Sequence, residues 1–208
     1  MTWWHRNRWA LLALPLALVL ALVASGDRVR SLWWERDLRR ATTAPVGEGA
    51  TFRQVVHDGS GGTFPVEASV RLDGVEVVDD PAALPPRTQL PDGVTAVRVD
   101  LTIEADPDVV LRTCQLAVRD AAGTRYEYVW DAHGGSQPVS PCVPEDAPGP
   151  ESVIGEPGAT RSDPDAPRPP TFSVSRVVVV PQGVAVTDVA LWWQLPDYVE
   201  LELAAPVG

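Results

Sequence analysis

The chain has 208 residues, with 17 Lys plus Arg against 28 Asp plus Glu and a formal net charge of −11. That length holds at most one anchor and one domain. The charge is split, because residues 1–40 carry seven arginines against three acids and residues 41–208 carry ten against twenty-five. A domain that acidic repels phosphate backbones, which argues against nucleic acid as a partner.

Residues 1–8 form a short basic tail. Trp9 to Ala24 then reads W-A-L-L-A-L-P-L-A-L-V-L-A-L-V-A, and Ser25-Gly26 extend the uncharged run to 18 residues. Such a run predicts a transmembrane helix over 9–26. Trp3, Trp4 and Trp9 before it, and Trp33 and Trp34 after it, predict an indole belt at each membrane interface. From Trp4 to Trp33 is 29 residues. At 1.5 Å per residue this makes about 43 Å of helix, close to a bilayer with its headgroups.

The leader, ending in Ala24-Ser25-Gly26, also fits a cleaved signal peptide, which would release a secreted domain. The second tryptophan pair favours retention, since a cleaved leader has no use for it. Arginines 28, 30, 36, 39 and 40 follow the run and only Arg6 and Arg8 precede it. Counted alone, that bias puts the C-terminal domain in the cytoplasm. The export-like leader, a possible cysteine pair and the sandwich pattern below oppose it. The expectation is a single-pass cell-membrane protein with an extracytoplasmic domain. Residues 27–45, with Val29, Leu32, Trp33 and Leu38 at near-helical spacing, are expected to form a juxtamembrane interfacial segment.

Residues 46–208 read as an all-β domain. Val97, Val99, Leu101 and Ile103 alternate with Arg98, Asp100, Thr102 and Glu104, the signature of a half-buried antiparallel strand. Ala68, Val70 and Leu72 repeat the pattern before Asp73-Gly74, a tight turn or a bulge. Asp120 to Thr124 predicts a hairpin joining 110–119 to 125–130, with Gly123 at positive φ. Phe172 to Val180 carries four consecutive valines, expected of a strand covered on both faces. Val199, Leu201 and Leu203 alternate with Tyr198, Glu200 and Glu202. Seven or eight such strands predict a two-sheet antiparallel sandwich. Its buried set should include Val97, Val99, Leu101, Ile103, Leu116, Val118, Val178, Leu191, Val199 and Leu201.

Residues 134–170 hold ten of the 21 prolines and are expected to be a solvated, mobile insertion, with a partner-binding loop as the sharper alternative. Cys114 and Cys142 are the only cysteines. A bridge between them would order residues 138–144, leave 145–170 mobile, and imply an oxidising compartment. No catalytic constellation, cofactor motif or metal-ligand spacing is present, so no enzyme activity, cofactor or metal is expected. His57 and His133 sit beside turns, and the acid pairs 79/80, 106/108, 145/146 and 163/165 read as solubilising turns. Trp192 and Trp193 on a late strand point to opposite faces; one fills the core, and the other either packs under a loop, the commoner case, or is a candidate partner contact.

The runs CQLAVRDAAGTRYEYVW, FSVSRVVVVP and WWQLPDYVELEL resemble the telokin-like, immunoglobulin-type domains of secreted and membrane-anchored bacterial proteins, over roughly residues 48–205. The Pro-rich insertion departs from so compact a module. The resemblance implies an interaction or structural module at the cell surface with no catalytic residues. The functional expectation is therefore a non-enzymatic, membrane-anchored module that contacts another envelope or membrane protein. A ligand-binding module for a glycan, small solute or Ca²⁺ is the alternative.

Overall fold

The computed structural model describes residues 3–80, 84, 90–129 and 140–208. His133, Trp130 and residues 134–139 lie outside the described residues, as do the side chains of Trp3 and Trp4. Helix α1 (Trp3–Val29) is longer than the apolar run that predicts it. It continues as one π-helical turn, Arg30–Trp34, with the Glu35 N–H donating to Arg30 O at 2.9 Å, the i to i+5 spacing of that winding.

The rest is an antiparallel β-sandwich. Its strands are β1 (Arg40–Ala44), β2 (Gly49–His57), β3 (Thr63–Val77), β4 (Val94–Glu104), β5 (Gln115–Asp120), β6 (Arg125–Glu127), β7 (Glu151–Ser152), β8 (Thr160–Arg161), β9 (Thr171–Pro181), β10 (Val186–Trp192) and β11 (Asp197–Val207). One sheet runs β1-β11-β10-β5-β6, the other β2-β3-β4-β9, and β7-β8 form a small hairpin. The described strands thus number eleven rather than the seven or eight expected. Every pairing is antiparallel except β1 with β11.

Alternation dictates the core. All ten residues expected inside are at most 2% exposed, so β4, β5, β9, β10 and β11 bury one apolar face between the two sheets. Tyr198, Glu200 and Glu202 point away from that core, as their register requires.

Of the two readings of Asp73-Gly74 the bulge holds: β3 runs through it with a register shift between Leu72 and Gly74, which accommodates the extra residue. Two expectations change. Arg40–Ala44 pairs with Asp197–Leu201, so the sandwich starts before residue 46 and takes in the end of the segment expected to be juxtamembrane. Cys114 lies just before β5 rather than within a strand. The valine-rich β9 is an edge strand, yet Val177 and Val178, on opposite faces, are both buried, as expected of a strand covered on both sides; Arg176 takes an inward place in its register among Phe172, Val174, Val178 and Val180.

One end of the sandwich gathers several of the connections. The N–H groups of Arg39 and Arg40 donate to Pro196 O at 3.0 and 3.1 Å, so the segment arriving from α1 docks beside the β10–β11 turn. The His57 N–H donates to Gln194 Oε1 at 2.9 Å, which brings the β2–β3 turn to the same place. Trp193 Nε1 donates to Leu111 O at 3.2 Å, adding the β4–β5 connection. The Pro-rich segment joins them.

Candidate anchor and interaction surface

Asn7–Gly26 has a mean hydropathy of 2.2 and none of it is buried against the protein. By length and composition it is able to cross a membrane. Trp9, Trp33 and Trp34 are all well exposed, and guanidinium groups lie on the first and last of them: Arg8 over Trp9 at 5.6 Å and Arg39 over Trp34 at 5.1 Å. Arg30 pairs with Glu35 at 3.0 Å and Arg39 with Asp37 at 3.1 Å.

Cys114 and Cys142 stand at disulfide distance, with Cα atoms 6.1 Å apart and both side chains buried. The described part of the Pro-rich insertion, 140–170, is docked and not free. Val143 is buried beside Cys142. Arg176 Nη2 donates to Ser140 O at 3.3 Å and Val143 O at 2.7 Å, while Nη1 lies 3.5 Å from Glu145. Burial pulls the Arg176 guanidinium below its ordinary value, against the fields of Tyr128 and Glu145. Arg168, 1% exposed, donates to Asp106 O at 2.6 Å and lies over the Phe172 ring at 5.7 Å. The cysteine pair and Arg176 thus hold 140–145, in keeping with the expected ordering of 138–144. Within 145–170 the buried Arg168 is a defined tie to the core that composition did not announce, and a buried cation needs such a partner.

The β7–β8 hairpin is held separately. Asp58 Oδ2 accepts the Gly158 N–H at 2.7 Å, and Ser60 Oγ accepts the Gly155 N–H at 3.0 Å. Asp58 Oδ1 also accepts the Ser60 and Gly62 N–H groups. These bonds, the Gly158 one foremost, hold the Asp58 carboxyl below its ordinary value against the opposing effect of desolvation. Gly62 permits the approach, since a Cβ there would collide with Gly158 N, Asp58 Oδ2 and Pro157 C. At the hairpin tip Ile154 is 96% exposed.

Trp192 and Trp193 do point to opposite faces. Trp193 fills the core, stacked on Phe52 with centroids 5.2 Å apart. Trp192 lies on the outer face of the five-stranded sheet, but it is only 6% exposed. Ala117, Ala190 and Tyr198 surround it, Leu38 and Leu195 pack on that cluster, and the Arg125 guanidinium sits 5.3 Å above its ring. Neither indole is an exposed contact, because neighbours remote in sequence close over the outer one.

Beside that cluster Arg119 donates to Asp188 Oδ1 and Tyr198 Oη and lies 3.0 Å from Glu200, to which Tyr198 donates at 2.7 Å. Burial opposes the Arg119 charge, yet Asp188, Tyr198 and Glu200 outweigh it and raise its pKa. Every member has its partner, which makes this a self-satisfied brace across β5, β10 and β11. On the other sheet a hollow of about 650 Å³ is lined by residues including Thr51, Glu67, Ser69, Glu104 and Asp106.

His57 is exposed at the end of β2. Asp106 and Asp163 accept the N–H of Asp108 and Asp165, each at 2.9 Å, so two of the acid pairs are turn-closing devices. Among the described residues no group of three or more His, Cys, Asp or Glu is placed to hold a metal ion. The elements that sequence reasoning missed are Arg168 and Arg176. Arg176 had a signal, standing at an inward position of an alternating strand; Arg168, in a Pro-rich run, had none.

No family model matches this chain, and no curated protein matches it in sequence. Among solved structures it is similar to an uncharacterized β-sandwich protein from Clostridium difficile 630, with 8% sequence identity and a TM-score of 0.32. That similarity covers 81% of this chain and 97% of the other.

Proposed function

We propose that this protein is a non-enzymatic, membrane-anchored module whose sandwich lies outside the cytoplasm and contacts another envelope or membrane protein. The observation that carries the reading is the uncovered apolar helix: 20 residues of mean hydropathy 2.2 with no part buried against the chain. Such a surface in water is unfavourable at about 25 cal/mol per Å², and lipid removes that cost. The cysteine pair at disulfide distance supports the outer side, where bridges persist. An immunoglobulin-like relation for the two-sheet sandwich belongs to the same proposal.

The end of the domain nearest the anchor in sequence supports an interaction role. It carries the docked Pro-rich segment and the exposed Ile154, while the outer-sheet tryptophan and arginines are already engaged with one another. Protease added to intact cells tests the placement. Digestion of the sandwich without lysis is expected; protection that lysis removes would instead favour the arginine count and a cytoplasmic domain. Affinity capture from native membranes then tests the partner, with an Ile154→Asp variant expected to lose it.

A further inference from the structure

The winding at the end of α1 leaves a groove of about 480 Å³ lined by Leu22, Gly26, Arg30, Trp33 and Trp34. Leu22, Gly26 and Arg30 recur at every fourth residue and so share one side of the helix. The π-helical turn Arg30–Trp34 brings both indoles to that side. Gly26 faces open space, since a Cβ there would meet no atom within 4 Å. The groove is hydrocarbon at the Leu22 end and cationic at the Arg30 end. Glu35 engages Arg30 through Nε at 3.0 Å, but the Arg30 side chain is 74% exposed, so its remaining donors are open to a ligand. Arg39 lies over Trp34 nearby, paired with Asp37. Residues 27–40 as a whole hold five arginines against three acids.

That change from apolar to cationic occurs where the apolar span ends, the depth at which a bilayer changes from acyl chain to phosphate. We propose that the groove seats one acidic phospholipid, with an acyl chain along Leu22 and Gly26 between the indoles and the phosphate on Arg30. Arginine suits that role because its planar fork binds phosphate oxygens in pairs. A net-positive segment also selects an anionic headgroup over a zwitterionic one. The inference rests on the reading that α1 spans a membrane.

The test uses the full chain in a mild non-ionic detergent with equimolar dioleoyl phosphatidylglycerol and dioleoyl phosphatidylcholine, read by native mass spectrometry. The wild-type chain is expected to retain phosphatidylglycerol over phosphatidylcholine by about fivefold. Gly26→Leu fills open space and should abolish retention of both lipids, whereas Arg30→Gln should keep a lipid but lose the preference. Equal retention of the two lipids, or retention that neither variant changes, overturns the proposal. A preference for phosphatidylcholine would assign the indoles to a quaternary ammonium and overturns it too. So does a protein dimer in place of lipid adducts, which would give the groove to a second helix. Flotation of the same chain with vesicles separates the two failures: no flotation refutes the spanning helix itself, while flotation without lipid preference refutes the groove alone.

Discussion

Replacing Cys114 and Cys142 together by alanine perturbs the sandwich at its most consequential long-range tie. The two positions are 28 residues apart. A bridge closing such a loop removes about 12 cal/mol/K of entropy from the unfolded chain, or about 3.5 kcal/mol at 25 °C. A domain of this size loses about 2–4 °C of melting temperature per kcal/mol, so the double variant should melt about 7–14 °C lower. The assay is near-ultraviolet circular dichroism of the full chain in detergent, oxidised wild type against variant, with hydrogen exchange read in parallel. Both sulfurs are buried, so protection should fall at Cys142-Val143 before it falls in Val99–Ile103. A melting temperature within about 2 °C of wild type would mean that the loop is not covalently closed or is already held closed in the unfolded state.

Arg176→Met removes the donor to Ser140 O and Val143 O; stranding those carbonyls should cost about 1–3 kcal/mol in urea unfolding, and an unchanged midpoint would contradict the docking described. Trp193→Phe keeps a ring against Phe52 but loses the bond to Leu111 O and leaves a cavity, for an expected loss of about 1–3 kcal/mol by chemical denaturation. Asp58 is held below its ordinary value in the folded chain, chiefly by the Gly158 N–H. Its contribution is therefore complete above the unfolded carboxylate pKa of about 3.9 and is lost as pH falls through the lower folded value. The protection factor of the Gly158 amide, taken against the intrinsic exchange rate at each pH, should fall on acidification below about pH 4; in Asp58→Asn it should already be low at neutral pH, and a protection factor that pH leaves unchanged would refute the tie.

Strand identity was legible where alternation is strict and the inward residues are large or β-branched, as in Val97 to Ile103 and Val199 to Leu203. There the pattern is local, and the inward side chains are buried, Leu203 at the end only partly. Gly123 is legible for the same reason, because a short turn demands its positive φ. The short β1 is not, since Arg40–Ala44 becomes a strand only through its parallel pairing with β11, 157 residues away for Arg40 and Asp197. The Pro-rich segment misleads in the other direction. Its composition reads as solvated, yet Cys142, Val143 and Arg168 are buried through partners that lie elsewhere in the chain. Trp192 shows the limit of face assignment: alternation places it outside, and only Leu38, Leu195 and Arg125 decide that it is covered.

The most direct test of the anchored, oxidised module is the non-reducing intact mass of the chain recovered from alkali-washed membranes. The account predicts that the protein stays with the membrane, retains the 9–26 segment, and weighs two hydrogens less than its reduced form. A chain that leaves in the wash without its first residues, beginning near Asp27, would contradict the anchor. A retained chain with both thiols free would contradict the bridge and, with it, the main support for an extracytoplasmic domain.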